Sequence, residues 1–366
     1  MPHVQVEGLS KRYGSIKALE DINLEIRDKE YVSIIGPSGC GKSTLIKCMA
    51  GIVRPDEGQI FVDNQPMREV PIQRRSIGYV FQEVTLFPNM KILENVSYGP
   101  RVQGQTPQST RTLVNELLNL IKLLDRAESF PSELSGGAQQ KVAVARALAS
   151  GSTLLLLDEP FGALDAKVRA ELRYEVRKMT SDLGLTVLHV THDQEEAMSI
   201  SDRVVVMKGG RIIEDGVPLE LYLHPGKIFT ANFLGEANFL DAEVIGLTQA
   251  GSVVRLGKAH LQTVDKSGRV GQTVVIAIRP EFISIGKGTP DENCLTGRVV
   301  SIRFMGHAVR YEVEVEGVRT INVEHPLCLG ELEIDLREEV ALRVSPPDVM
   351  VYSVPGEGLE NELQLE

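Results

Sequence analysis

The stretch YVSIIGPSGCGKST, Tyr31–Thr44, decides how the rest of the chain is read. A short apolar run, Tyr31–Ile35, stops at Gly36-Pro37-Ser38-Gly39-Cys40-Gly41-Lys42-Ser43-Thr44, and helical pattern follows over Lys42–Ala50. G-x-x-x-x-G-K-[ST] between a strand and a helix is a phosphate-binding loop. Its glycines let backbone N–H groups curl around phosphate oxygens, and the helix start adds the positive end of its dipole. Lys42 is expected to reach the β- and γ-phosphates, and Ser43 to ligate Mg2+. The competing reading is a chance glycine-rich turn, which has no reason to sit between this strand and this helix. The loop alone specifies a nucleoside triphosphate, not a reaction.

LLLLDEP, Leu154–Pro160, supplies the second half. An apolar strand ends in two adjacent carboxylates. Neighbouring strand residues point to opposite faces, so the two acids cannot share one task. Asp158 can sit beside the loop and hold Mg2+ through water, leaving Glu159 to polarise an attacking water. A solvated acidic strand end is the alternative, and it loses ground once a phosphate loop lies upstream. LSGGAQQ, Leu134–Gln140, is a third unusual stretch, with a serine and two glycines before a helical pattern over Ala138–Ala149. Bare N–H groups at a helix start form an anion site, and the same residues also serve as a cap.

The chain has 366 residues, enough for two domains. With 42% hydrophobic and 24% charged residues its composition is that of an ordinary globular protein. No stretch approaches the roughly 18 apolar residues of a membrane span, and MPHVQVEGLSKRYG lacks a signal-peptide core. The expectation is a chain that starts in the cytoplasm and cannot cross a bilayer alone. A net charge of −11 argues against nucleic acid as a partner. Cys40, Cys48, Cys294 and Cys328 show no zinc-site spacing and are expected to be reduced thiols.

Candidate strands at Val4–Leu9, Leu19–Ile26, Tyr31–Ile35, Gly78–Phe81, Thr153–Leu157, Thr186–Val190 and Arg203–Met207 alternate with helical pattern at Lys42–Ala50, Arg111–Leu124, Ala138–Ala149 and Ala166–Leu183. That order predicts a largely parallel α/β core. After about Gly235 the texture changes to alternating segments such as Val274/Ile276/Ile278, Val309/Tyr311/Val313/Val315 and Val340/Leu342/Val344. They predict a small all-β domain, a barrel. The acidic end, Gly356–Glu366, is expected to fray.

These motifs resemble, in order, those of the ATP-binding cassette (ABC) ATPases. Tyr13 in KRYG is similar to the family's adenine-stacking aromatic, Gln82 in YVFQE to its glutamine loop, LSGGAQQ to its signature, GALD (Gly162–Asp165) to its D-loop and His192 in HVTHD to its switch histidine. The resemblance implies an α/β P-loop NTPase over residues 1–235, with a helical subdomain at about 85–155. A TOBE- or OB-like β barrel over 236–355 and a tail at 356–366 follow. It implies ATP with Mg2+ (Ser43, Gln82, Asp158), catalysis by Glu159 with His192 and Gln82, and a head-to-tail dimer. In that dimer Ser135, Gly136, Gly137 and Gln139 of one copy face the phosphate bound to the other, and Asp165 orients the partner's loops. The lesser alternatives are a packing residue for Tyr13 and a strand-end polar residue for Gln82, whereas His192 taken alone reads as a core histidine. The signature departs from the common pattern at Ala138 and Lys141, where Gln or Glu and Arg are usual.

No long coiled coil separates Lys42 from Ser135, which disfavours the chromosome-maintenance branch. FQEVTLFPNMKILENVSYG, Phe81–Gly99, offers Leu86, Phe87 and Met90 as a groove for a permease helix, or as cover for a small subdomain. EANFLDAEV and AIRPEFISI resemble the β domain of importer ATPases. The resemblance therefore implies an importer ATPase at the cytoplasmic face of the membrane. Its partners would be a transmembrane permease and, indirectly, a solute-binding protein, without nucleic acid. Its solute would be an oxyanion such as sulfate, ferric iron or a polyamine. A sugar importer and a soluble non-transport ABC ATPase are the alternatives.

Overall fold

The computed structural model describes residues 2–162, 165–287, 292–327, 334–356 and 358–364. One compact unit ends at Leu219 and a second begins at Glu220. In the first, β1 (Val4–Tyr13) and β2 (Ile16–Ile26) form an antiparallel pair. β3 (Tyr31–Ile35) runs through the phosphate loop into α1 (Lys42–Ala50), and β4 (Glu57–Val62) and β5 (Gln65–Pro66) return to the first sheet. β6 (Ile77–Val80) is followed by three helices, α2 (Ile92–Val102), α3 (Pro107–Leu120) and α4 (Gly136–Ala149). β7 (Leu154–Asp158), α5 (Ala166–Asp182), β8 (Thr186–Val190), α6 (Gln194–Ile200), β9 (Arg203–Lys208) and β10 (Arg211–Gly216) complete the unit.

Two sheets result, ordered β2-β1-β4-β5 and β10-β9-β3-β8-β7-β6. In the second, β3, β6, β7, β8 and β9 pair in parallel and β10 closes the edge antiparallel. Every residue of β3, β7 and β8 is buried. Leu155, Leu157 and Val187 enter one core, whereas Leu154, Leu156, Leu188 and Val190 enter another. Period-two alternation between two covered faces explains why these strands read as continuous apolar runs.

The predicted parallel core is present, and an antiparallel sheet accompanies it. β4, α2 and α6 had no counterpart among the predicted elements. α3 begins four residues before the predicted Arg111, because Thr106 caps it, accepting from Ser109 N–H, and Pro107 takes the first turn.

The predicted boundary at Gly235 lies beyond the division at Leu219. α7 (Pro218–Leu223) spans that division, and α8 (Ile228–Phe233) sets Ile228 and Ala231 against Val275, Ala277, Met350 and Tyr352. α8 packs with the β unit because its apolar face finds that sheet.

That unit holds β11 (Asn238–Leu247), β12 (Ser252–Leu256), β13 (Ala259–Thr263), β14 (Thr273–Ile278), β15 (Ile283–Gly286), β16 (Cys294–Phe304), β17 (Ala308–Val315), β18 (Ile321–Pro326), β19 (Glu339–Val344) and β20 (Met350–Ser353). Two five-stranded sheets, β13-β12-β11-β14-β20 and β15-β19-β16-β17-β18, enclose one core. The alternating segments predicted from sequence fall in β14, β17 and β19. The acidic end is not simply frayed: α9 (Leu359–Leu363) lays Leu359 and Leu363 on the cluster that holds α8, and Asn232 donates to the Leu363 carbonyl.

Among the described residues no helix is long and apolar enough to cross a membrane. Cys40, Cys48 and Cys294 are buried free thiols, and Cys328 lies outside the described residues.

Candidate functional site

The phosphate loop is built by close approach. Gly41 has φ 106°, and a Cβ there would fall 2.3 Å from the Ala18 carbonyl oxygen, so only glycine fits against β2. Lys42 opens α1 and is 5% exposed. Its ammonium donates to the Gly36 carbonyl at 2.7 Å and the Pro37 carbonyl at 2.9 Å. Cys40 N–H closes a turn on the Pro37 carbonyl, with Ser38 and Gly39 at its tip and Ser43 and Thr44 in the first helical turn. Burial pushes the Cys40 thiol up.

The two acids at the end of β7 diverge as predicted. Asp158 faces the loop, where Ser43 Oγ donates to Oδ1 at 3.2 Å and Tyr79 OH to Oδ2 at 2.8 Å. Sequence reasoning missed Tyr79. The signal for it lay in its place on β6, opposite Leu156 and three residues before Gln82. Burial, then the bond to Asp158, drives the Tyr79 hydroxyl far above its ordinary range, so it stays a donor.

Glu159 turns the other way. It has φ 47°, unusual for a side-chain-bearing residue, and its N–H is tied to the Val190 carbonyl at 2.8 Å. Its Oε2 accepts from Gln82 Nε2 at 2.9 Å and lies 3.3 Å from Nδ1 of the exposed His192. Glu159, Gln82 and His192 therefore meet at one oxygen.

Tyr13 closes β1 with 49% of its surface exposed, under the Lys11 ammonium at 5.5 Å from the ring centre. Half of its surface is open, which leaves an aromatic face at the end of β1.

The signature residues stand apart. Ser135 caps α4, accepting from Ala138 N–H, and Gly136 and Gly137 form the first turn. Among the described residues no hydrogen bond or ion pair joins them to the phosphate loop. A Cβ on Gly137 would meet Val168 Cγ1 at 2.7 Å, so bare backbone lets α4 press against α5. The Gln139 amide donates to the Pro131 and Leu134 carbonyls, bracing the loop before Ser135. Lys141 pairs with Glu175 of α5. Asp165 caps α5, accepting from Val168 N–H, while Ala163 and Leu164 of GALD lie outside the described residues.

The apolar residues expected around Leu86, Phe87 and Met90 are half-buried, and the open aromatics are Phe81 and Tyr98. Asn95, fully buried, holds this loop by accepting from Phe87 N–H and donating to the carbonyls of Phe87, Met90 and Lys91.

Comparison with known proteins places this geometry. Residues 19–162 match the ABC transporter family model, and residues 276–351 match the TOBE domain. The spermidine/putrescine import ATP-binding protein PotA of Nostoc sp. is 38% identical over 90% of this chain and 88% of its own. The Fe(3+) ions import ATP-binding protein FbpC of Agrobacterium fabrum is 38% identical over 88% of this chain and 91% of its own. The sulfate/thiosulfate import ATP-binding protein CysA 2 of Chromobacterium violaceum is 39% identical over 97% and 96%. The dimeric structure of the bacterial ABC transporter cassette MJ0796 superposes with a TM-score of 0.53 at 33% identity, covering 59% of this chain and 98% of that one. The same cassette in a post-hydrolysis state bound to ADP and Pi matches equally, with a TM-score of 0.53. This chain belongs to the ABC transporter family, as an ATP-binding subunit and ATPase with a C-terminal TOBE domain.

Proposed function

We propose that this chain is the ATP-hydrolysing subunit of an importer, working as a head-to-tail dimer on the cytoplasmic face of the membrane beneath a separate permease fed by a solute-binding protein. The observation that carries the reading is the convergence of Gln82 and His192 on one oxygen of Glu159, beside an Asp158 held by Ser43. In this reading Glu159 takes a proton from the attacking water, and His192 and Gln82 hold its carboxylate in place. Lys42 and the N–H groups of residues 36–44 bind the phosphates, and Tyr13 stacks on the base. Ser43 Oγ and the Asp158 carboxylate, 3.2 Å apart, are oxygen donors of the kind Mg2+ takes, and the Gln82 side-chain oxygen would be a third donor in this reading. The metal, when bound with ATP, neutralises charge on the phosphate oxygens.

Ser135, Gly136 and Gly137, braced by Gln139 and Asp165, complete the site of a second copy. Relatives named for polyamine, ferric iron and sulfate import support an importer of one of these solute types. The residues at 1–235 serve as the ATPase domain and those at 236–355 as the accessory β domain.

Mixing subunits tests the shared site. Chains carrying Ser135→Arg and chains carrying Lys42→Ala each form defective dimers, whereas each mixed dimer keeps one whole composite site. Partial recovery of ATP binding on mixing is expected, and no recovery overturns the trans arrangement. Uptake of labelled spermidine, Fe3+ and sulfate by cells carrying or lacking this chain identifies the solute.

A further inference from the structure

A fully buried histidine on β8 has no part in the reading above. His189 of β8 is 0% exposed. Its Nδ1 lies 3.3 Å from the Tyr31 hydroxyl, and its ring meets the Phe161 ring edge-on at 5.7 Å. Its Nε2 lies 2.8 Å from Glu196 Oε1, a close polar contact off the line of the ring N–H. Each neighbour belongs to a segment that carries a site residue. Tyr31 starts the strand that leads to Lys42, Phe161 lies two residues beyond Glu159, and Glu196 is on the helix that follows His192.

The contacts continue from Glu196 to the turn that bears His192. Thr191 Oγ1 donates to Glu196 Oε2 at 3.2 Å and accepts from Asp193 N–H at 3.0 Å. Asp193 Oδ1 accepts from Glu196 N–H at 3.0 Å, and its Oδ2 meets Arg169 at 3.1 Å. His192 is thus flanked by two residues whose polar atoms are both tied to Glu196. Alternation along β8 puts His189 on the face of Val187, where the neighbouring positions are Leu155 and Leu157. An apolar residue would fill that space at less cost than a buried imidazole and carboxylate.

We propose that His189 is a positioning residue for ATP hydrolysis: through Glu196 and Thr191 it fixes the 191–193 turn and so aims His192 at Glu159. The proposal rests on the roles given to Glu159 and His192 above.

The test is steady-state ATP hydrolysis by the full-length chain, assembled with its permease, across ATP concentrations. His189→Phe should lower kcat about tenfold and leave KM for ATP within about twofold, since misplacing a catalytic group costs turnover rather than binding. His189→Gln, which keeps a donor toward Glu196 and an acceptor toward Tyr31, should restore most of the rate. Thr191→Val should reproduce the loss and Thr191→Ser should not. The double variant His189→Phe/Thr191→Val should lose no more than the weaker single variant, because both act in one chain of contacts. Losses that multiply, a parental rate in His189→Phe, or equal loss in His189→Gln each overturn the proposal. If His189→Phe fails to fold and loses nucleotide binding, the Thr191→Val and Thr191→Ser pair decides. His192→Ala separates the two layers. A parental rate there removes the site reading itself, while a defective His192→Ala beside unimpaired His189→Phe and Thr191→Val removes only the role of His189.

Discussion

The side-chain amide of Gln82 donates to the carboxylate of Glu159 at 2.9 Å, bridging the ends of two adjacent parallel strands. A residue just past one strand therefore holds the acid just past the next. Glu159→Gln keeps the size and loses the base. Hydrolysis should fall by at least about 100-fold, the usual worth of a general base, while ATP still binds. Phosphate release and nucleotide binding measured on the same preparation check this, and hydrolysis at the parental rate removes the role.

Lys42 has its ammonium fixed above the loop by two carbonyls, so no rearrangement of the helix is needed to present it. Lys42→Ala should weaken ATP binding by about 10- to 100-fold, the range expected for losing a charge-assisted contact to phosphate. Equilibrium dialysis with labelled ATP reads the affinity. An unchanged value contradicts the cradle.

Gly137 is defined by what it touches. Gly137→Ala drives a methyl to 2.7 Å from Val168 Cγ1 and should push α4 away from α5. Hydrolysis should drop several-fold, and Val168→Ala in the same chain should restore it, since the obstacle is one side-chain methyl group. Failure of the second substitution to help shows that the glycine serves something other than this contact.

Tyr13 presents an open ring. Tyr13→Ala should raise the ATP dissociation constant about tenfold, the scale of one aromatic–base stack, and Tyr13→Trp should hold it near the parental value. A fluorescent ATP analogue titrated into each variant gives the comparison.

Glu30 and Arg203 form a largely buried pair at 2.8 Å. Burial pushes the Glu30 carboxyl up, but the Arg203 guanidinium and the Arg27 N–H outweigh it and hold it below the usual carboxylate range. A folded-state pKa below the unfolded one gives stability that is present above the unfolded value. That stability is lost as pH falls through the folded value. Arg203→Met should therefore cost about 2 kcal/mol near neutral pH, less than for a wholly buried pair because both groups keep some exposure. The gap to the parent should narrow below about pH 4. Urea midpoints followed by circular dichroism across pH test both the size and the sign.

Much of the core was legible because its signals are local. The strand, glycine-rich loop and helix of Tyr31–Ala50 follow from residues adjacent in sequence, and so does the capping position of Ser135. β4 was invisible: its burial is intermediate and irregular, and it becomes a strand only because β1 offers an edge. α6 was too short to show a period. Nothing local in LSGGAQQ showed that the Pro131 and Leu134 carbonyls take the Gln139 amide, because that bond depends on how the preceding loop folds back.

The sequence by itself determined a phosphate loop, two acids at a strand end and a glycine-bearing helix start, each set by short-range spacing, and its resemblance to a known family singled out a glutamine and a histidine. Only the tertiary structure decided how these meet. Tyr79 reaches Asp158, Gln82 and His192 share one oxygen of Glu159, and His189 meets Tyr31, Phe161 and Glu196. Most of those contacts join residues tens of positions apart. They depend on which strands become neighbours, and strand order arises from burying whole faces rather than from any one motif.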